Sequence, residues 1–278
     1  MTYGPNPWQQ AHWDWRAAGN FVCGGAGAGL LVFTVLSGVD GLAAALLLLA
    51  GMALIGLGLL CVWLEIGRPL RAFNVMRRPG SSWMTREAMV APLVFALGLA
   101  VAAGVQVVAP LLLLAALGFV YCQARIVQAG KGIPLWREPF TVPLLVLTGL
   151  AEGAGLFWLA GGASPRRAGL ALIVFAAMVL GRWQLWRTWR RRVATVAVAP
   201  ALAAIDRAGR TLQAIGGALP IVLALLAAVG TPGGPLLLAA AGACVAATGA
   251  WFKFTLITRA AFNQGFQLPR FPVRGVPR

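Results

Sequence analysis

The sequence predicts an all-α integral membrane protein with eight transmembrane helices. Three observations lead there. Hydrophobic residues make up 60% of the chain and charged residues 11%. The mean hydropathy is +0.81. Apolar stretches of about 20 residues, enough to cross a hydrocarbon core as a helix, recur along the whole length. A soluble domain carries roughly a quarter charged residues, and the polar gaps here are too short to form a separate one.

The first stretch, 17–38, follows an aromatic and polar opening, MTYGPNPWQQAHWDWR. That opening has neither the basic start nor the apolar run of a cleavable signal, so the first helix is expected to be retained. The second stretch, 42–64, ends beside Glu65, and the third, 87–108, follows the richest polar segment of the chain. A break at Val108 to Pro110 separates the third from the fourth, 110–129, and Glu152 falls near the middle of the fifth, 139–161. The sixth, seventh and eighth are read as 167–187, 210–229 and 235–257. The tail, 259–278, mixes apolar residues with prolines and has no helical period. It reads either as disordered or as a strap across a partner on its own side of the membrane.

CGGAGAGLL from Cys23 resembles LAEGAGLFW from Leu150. This similarity suggests two four-helix halves, 1–129 and 130–258, in which the first and fifth helices are equivalent. Glycines cluster in those two helices, at 19, 24, 25, 27 and 29 and at 149, 153 and 155. Small-residue faces let helix backbones approach closely; alternatively they leave room for a flat ring or an isoprenoid tail.

Every Lys and Arg except Arg166 and Arg167 falls on the side of the membrane that holds both termini and the three long connections. Cytoplasmic loops collect Lys and Arg, so both termini are expected in the cytoplasm, with the chain in a bacterial-type inner membrane. The net charge of +16 then follows from few acids and basic loops beside anionic membrane lipid. Nucleic acid is not expected as a partner, because there is no basic soluble domain to bind it.

Cys23, Cys61, Cys122 and Cys244 lie one each in separate apolar helices, without C-x-x-C spacing, so no iron-sulfur cluster or metal site is expected in this chain. His12 is the single histidine, which excludes bis-histidine haem.

The polar segment after the second helix brings acid, base and aromatic groups together. Glu65 sits at the membrane edge, Gly67 permits close backbone approach, and Arg68, Arg71 and Asn74 follow. Ser82 or Thr85 can cap the third helix, with Glu87 in its first turn, where the helix dipole favours an acid. In one reading Glu65 pairs with Arg68 or Arg71 and Glu87 serves the cap. In the other a carboxylate accepts protons from a quinol while Arg and Asn donate hydrogen bonds to its oxygens. His12 and Asn20 enter the membrane at the same edge and join the candidate set. Trp13 and Trp15 read as interfacial anchors.

An unpaired charge at mid-membrane costs at least about 2.5–3.5 kcal/mol, so Glu152 must be protonated, paired or in a water-filled cavity. It serves either as a buried structural hydrogen bond or as part of a proton path. Asp206 reads as a loop salt bridge with Arg207 or Arg210, and Lys131 to Pro139 reads as part of the basic face. No residue is expected to be catalytic by itself.

GRPLRAFN from Gly67, followed by R-R-P-x-S-S-W and R-E-A, resembles the membrane anchor subunits of the DmsC family, within the wider NrfD group. HWDW followed by F-x-C-G-G-A-G-A-G is similar to that family's entry into its first helix. The resemblance covers essentially the whole chain, with its distinctive motifs in the first third. Among relatives it looks most like the anchors of phenylacetyl-CoA:acceptor oxidoreductases.

The resemblance implies two partners, which the distribution of Lys and Arg puts on the cytoplasmic face: a molybdopterin catalytic subunit holding molybdenum or tungsten, and a four-cluster ferredoxin-like iron-sulfur subunit. It further implies a ubiquinone or menaquinone site near the nearest cluster, with no haem or cluster in this chain. One departure is that dimethyl sulfoxide reductase anchors carry histidine at the position of Glu65. Another is orientation, since those anchors face an exported catalytic pair. A cytoplasmic face suits a cytoplasmic substrate such as phenylacetyl-CoA. A multi-helix secondary transporter is the alternative from a different class. Glu152 and the paired glycine-rich helices are the features that favour it.

Overall fold

The computed structural model describes residues 4, 6–66, 74–75, 80–162 and 168–266. Among them are α1 (Trp15–Ser37), α2 (Gly41–Glu65), α3 (Trp83–Ala102) and α4 (Ala109–Gln128). A four-residue turn of helix, α5 (Pro134–Arg137), leads into α6 (Thr141–Leu159) and α7 (Ala168–Val193). α8 (Ala199–Gln213) runs through a π-helical turn, Ala214–Ala218, into α9 (Leu219–Ala228). α10 (Gly234–Phe254) ends in a second π-helical turn, Thr255–Arg259. With α8 and α9 counted as one, eight of these units are long and apolar enough to cross a membrane.

α1 is the most enclosed span, packed against α2 on one side and α6 on the other. Backbone contact between small residues makes this possible. A Cβ placed on Gly153 would lie 2.0 Å from the Gly29 backbone, so α1 and α6 meet at a distance only glycine allows. Leucines face outward instead; Leu42, Leu46 and Leu49 on α2 are among the exposed residues, as a span bathed in lipid requires.

The described segments before α1 and after α10 meet on one face. Gln9 and Phe262 form an antiparallel bridge, and the side chains of Gln9 and Gln10 donate to the carbonyls of Thr258 and Ile257 in the second π-helical turn. Trp136 Nε1 donates to Leu256 in the same stretch, which folds α5 into the protein core rather than leaving the whole of Lys131 to Pro139 as open surface. Asp14 caps α1, accepting from the Arg16 backbone at 2.8 Å. The hydrogen bond from the Arg16 side chain holds the Asp14 carboxyl below the usual carboxylate range.

Several expectations need correcting. α3 begins at Trp83 rather than at 87, with the Ser82 hydroxyl accepting from the Thr85 backbone. Glu87 therefore lies beyond the first turn, buried, where the helix dipole does not explain it. α7 continues through the arginine-rich stretch to Val193, and α8 begins at Ala199 rather than at 210. Asp206 is consequently on a helix, and its partner is Arg190, at 2.5 and 2.8 Å, in place of Arg207 or Arg210. Arg182 and Lys253, assigned by sequence to the basic face, are both buried among the helices.

Candidate functional site

A cavity of about 380 Å³ opens between α1, α2 and α3, near the face where the segment before α1 meets the second π-helical turn. Its apolar lining includes Leu59, Val62, Ala88 and Ile126, with Trp13 and Trp63 beside them. Three polar side chains reach it: Asn20 from α1, Glu65 from the end of α2 and Glu87 from α3. A mainly apolar hollow with a few convergent polar groups is the usual form of a small-molecule site.

Local sequence explains how the groups converge. A Cβ on Gly58 would come within 3.0 Å of the Asn20 carbonyl and the Gly24 nitrogen, so glycine at this position lets α2 close onto α1 beside Asn20. Arg16 donates to the Leu64 carbonyl at 3.0 Å, fixing the end of α2 next to Glu65. The Thr85 hydroxyl donates to the Val75 carbonyl, tying the connection to the start of α3.

Asn20 Nδ2 lies 3.4 Å from Glu87 Oε1, and Gln123 Nε2 donates to the Asn20 carbonyl at 3.1 Å and to its Oδ1 at 3.4 Å. Glu87 is only 6% exposed, and no ion pair to it is found among the described residues. A buried carboxylate without a countercharge is expensive unless it is hydrogen-bonded or carries a proton, so this group is suited to taking up and releasing one.

The structure thus brings Asn20, Glu65 and Glu87 together. His12 is exposed and does not line the cavity; Asn74 is exposed, while its neighbour Val75 reaches the lining. Gly67, Arg68 and Arg71 lie outside the described residues. Gln123 escaped the sequence reading; its signal was an amide inside the apolar run of the fourth helix.

A second polar group lies deeper. Lys253 Nζ sits 2.5 Å from Glu152 Oε2 and donates to the Phe21 carbonyl of α1 at 2.6 Å. Gly249 makes room, since a Cβ there would approach Glu152 Oε1 to 2.5 Å. Arg182 is almost wholly buried nearby and donates to the carbonyls of Val245 and Gly216, the latter within the first π-helical turn. Glu152 is therefore paired, the second of the options its position allowed. Lys253 went unrecognised as its partner because it stands near the end of the last apolar run, where a cation reads as interfacial.

Between the two groups, Gly25 stands where a Cβ would be 2.7 Å from Lys253 Nζ and 3.6 Å from Gln123 Oε1. Beside it is a void of about 10 Å³. Among the described residues no cluster of three or more His, Cys, Asp or Glu is placed to hold a metal ion.

Comparison with known proteins adds two findings. The family model for the DMSO reductase anchor subunit (DmsC) matches residues 33–215. A sulfite dehydrogenase subunit of Allochromatium vinosum is 33% identical over 135 residues, covering 41% of this chain and 39% of that protein. The match thus spans less than half of that relative. The family match includes Glu65, Glu87, Gln123 and Glu152, while Asn20 and Lys253 lie outside it.

Proposed function

This chain belongs to the DMSO reductase anchor subunit (DmsC) family, and on that premise we propose that it holds a quinone in the cavity between α1, α2 and α3 and links it to partner subunits. The partners in this reading are an iron-sulfur subunit and a molybdopterin catalytic subunit, docked on the face that carries both termini. The basic connections on that face favour the cytoplasm as its compartment. The observation that carries the proposal is the buried carboxylate of Glu87, without an ion-pair partner among the described residues, beside an apolar hollow of ring-accommodating size.

The residues present suit a quinone. Asn20 Nδ2 can donate to a ring oxygen, and the Trp13 and Trp63 side chains flank the space as flat apolar walls. A bound quinone supplies two-electron, two-proton redox chemistry. Glu87 takes or gives a proton at its carboxylate oxygens, and Glu65, half-exposed at the end of α2, relays it to water. Histidine is therefore not required at position 65, because a carboxylate performs the same exchange. Iron-sulfur clusters of the partner subunit would exchange the electrons with the quinone.

The basic-face orientation favours a cytoplasmic substrate, for which phenylacetyl-CoA is the reading from the sequence. The likeness to a sulfite dehydrogenase subunit supports sulfite as a second. In either case the chain forms two four-helix halves, with the cavity in the first. A second reading makes Glu152 part of a proton path instead of a structural ion pair. The buried polar groups from Glu87 through Asn20 and Gln123 to Lys253 favour it, with the small void beside Gly25 between them.

The test is purification of the native complex in mild detergent, with metal analysis for molybdenum, tungsten and iron and extraction of bound quinone. Quinone-linked oxidation of phenylacetyl-CoA and of sulfite is then assayed side by side. Recovery of a metal-rich complex with quinone is expected. A chain recovered alone and free of quinone from intact membranes would end the proposal.

A further inference from the structure

A second, larger hollow of about 420 Å³ lies at the membrane boundary, bordered by the start of α3, the last turn of α4 and the loop before α5. It is lined by Trp83, Arg125, Gln128, Ala129, Lys131 and Arg137, three cations with no carboxylate among them. From this lining and from the surface beneath it, we propose that the hollow binds the phosphate headgroup of an anionic phospholipid, whose acyl chains lie along α4.

The cations are arranged to receive an anion. The Arg125 guanidinium rests 4.7 Å from the centre of the Trp83 ring and 5.9 Å from that of Tyr121, and Trp83 and Tyr121 meet edge to face at 5.6 Å. Stacking holds the planar fork in place without using its N–H groups. Arg125 Nε is buried and has no hydrogen-bond partner among the described residues. Arg137, at the end of α5, donates to the carbonyl of Lys131 in the loop before it at 3.4 Å, which keeps the two cations on one side of the hollow. A phosphate supplies the acceptor oxygens that such a fork and an ammonium match.

The surface below says which phosphate. Leu114 is 64% exposed and Tyr121 41% exposed, and with Arg125 four residues beyond they mark one face of α4. At 1.5 Å per residue, Leu114 to Arg125 spans about 16 Å, close to one leaflet of a hydrocarbon core of about 30 Å. Trp83 and Tyr121 stand at the height where interfacial aromatics gather. A cationic hollow directly above an apolar track of leaflet length fits an amphipathic anion. A partner's acidic side chain or a free phosphate fits the hollow alone. The inference does not depend on whether the other cavity takes a quinone.

Native mass spectrometry of the full-length chain, titrated with phosphatidylglycerol and phosphatidylcholine of identical acyl chains, tests it. Wild-type protein should retain phosphatidylglycerol over phosphatidylcholine by roughly tenfold or more. Arg125→Ala should bring the two close to parity. Lys131→Ala combined with Arg137→Ala, which alters only exposed side chains and leaves the packed helices untouched, should do the same. Arg207→Ala, an exposed arginine on α8, should leave the preference unchanged. Equal retention of the two lipids by wild type overturns the proposal, as does an unchanged preference in both the Arg125 and the loop variants. Displacement by inorganic phosphate at the same concentration as the lipid overturns it too, since the apolar track would then contribute nothing.

Discussion

Two buried acids in this protein stand in opposite circumstances. Glu152 has a lysine 2.5 Å away and an arginine close by, packed so tightly that Gly249 has no room for a side chain. Glu87 has amides for neighbours, no ion-pair partner among the described residues, and a cavity of about 380 Å³ at its side. Where a cation is packed against the carboxylate, the charge is locked into the packing and removing either member is costly. Where a carboxylate faces a hollow with only amides to help, it is free to exchange a proton with whatever enters. Burial alone does not separate the two; the countercharge and the adjoining space do.

The largest effect is expected from Lys253→Met. It leaves Glu152 without its counterion and the Phe21 carbonyl without its donor, a loss on the order of 3–5 kcal/mol. Thermal unfolding in detergent and yield from membranes should both fall sharply, while Glu152→Met combined with Lys253→Met should regain most of the loss. If the single variant is as stable as wild type, the deep group is not structural. Next comes Glu87→Gln, which keeps the shape of the side chain but removes its proton exchange. Quinone-linked turnover should drop by roughly 100-fold or more, with dye-linked activity of the complex intact. Glu152→Gln sharpens the contrast. If it folds normally and lowers quinone-linked turnover as much as Glu87→Gln does, the deep group is part of a proton path and the distinction between the two acids fails.

Glu65→Gln should cost less, about tenfold in the same assay, because water reaches the end of α2 and can replace the relay. The smallest change is Asp14→Ala, which removes the α1 cap for about 1 kcal/mol of stability. The carboxyl of Asp14 is held below its usual value of 3.8 by Arg16, so the contribution of its charge is fully present above that pH and is lost as the pH falls through the lower, folded value. Wild type and Asp14→Asn should therefore differ in thermal stability at neutral pH and converge in strong acid.

The eight spans were legible because continuous apolarity over about 20 residues has few other readings. Helix ends were less so. The stretch from Ala199 to Gln213 carries Asp206, Arg207 and Arg210 among alanines, which a hydropathy window scores as a connection although the spacing is helical. Three members of the cavity, Asn20, Glu65 and Glu87, stood in the candidate set because polar side chains are rare at the ends of these apolar runs. The hydrogen bonds that tie Asn20 to Glu87 and to Gln123 were not legible, since they join residues 67 and 103 positions apart. Lys253 was misplaced for the same reason. Position along a span suggests depth, but a long side chain reaching back across 101 residues of sequence to Glu152 leaves no local mark.

The pairing of the chain's two ends carries a consequence for the order of synthesis. Trp13 lines the cavity, and its backbone is held by Gln10, which is in turn held by the Ile257 carbonyl at the far end of the eighth span. Residues 10–13 therefore receive these partners only after α10 has been inserted. A chain interrupted before residue 257 has α1 to α3 in place and one wall of the cavity unsupported, so synthesis through the second π-helical turn is itself a condition for completion of the site.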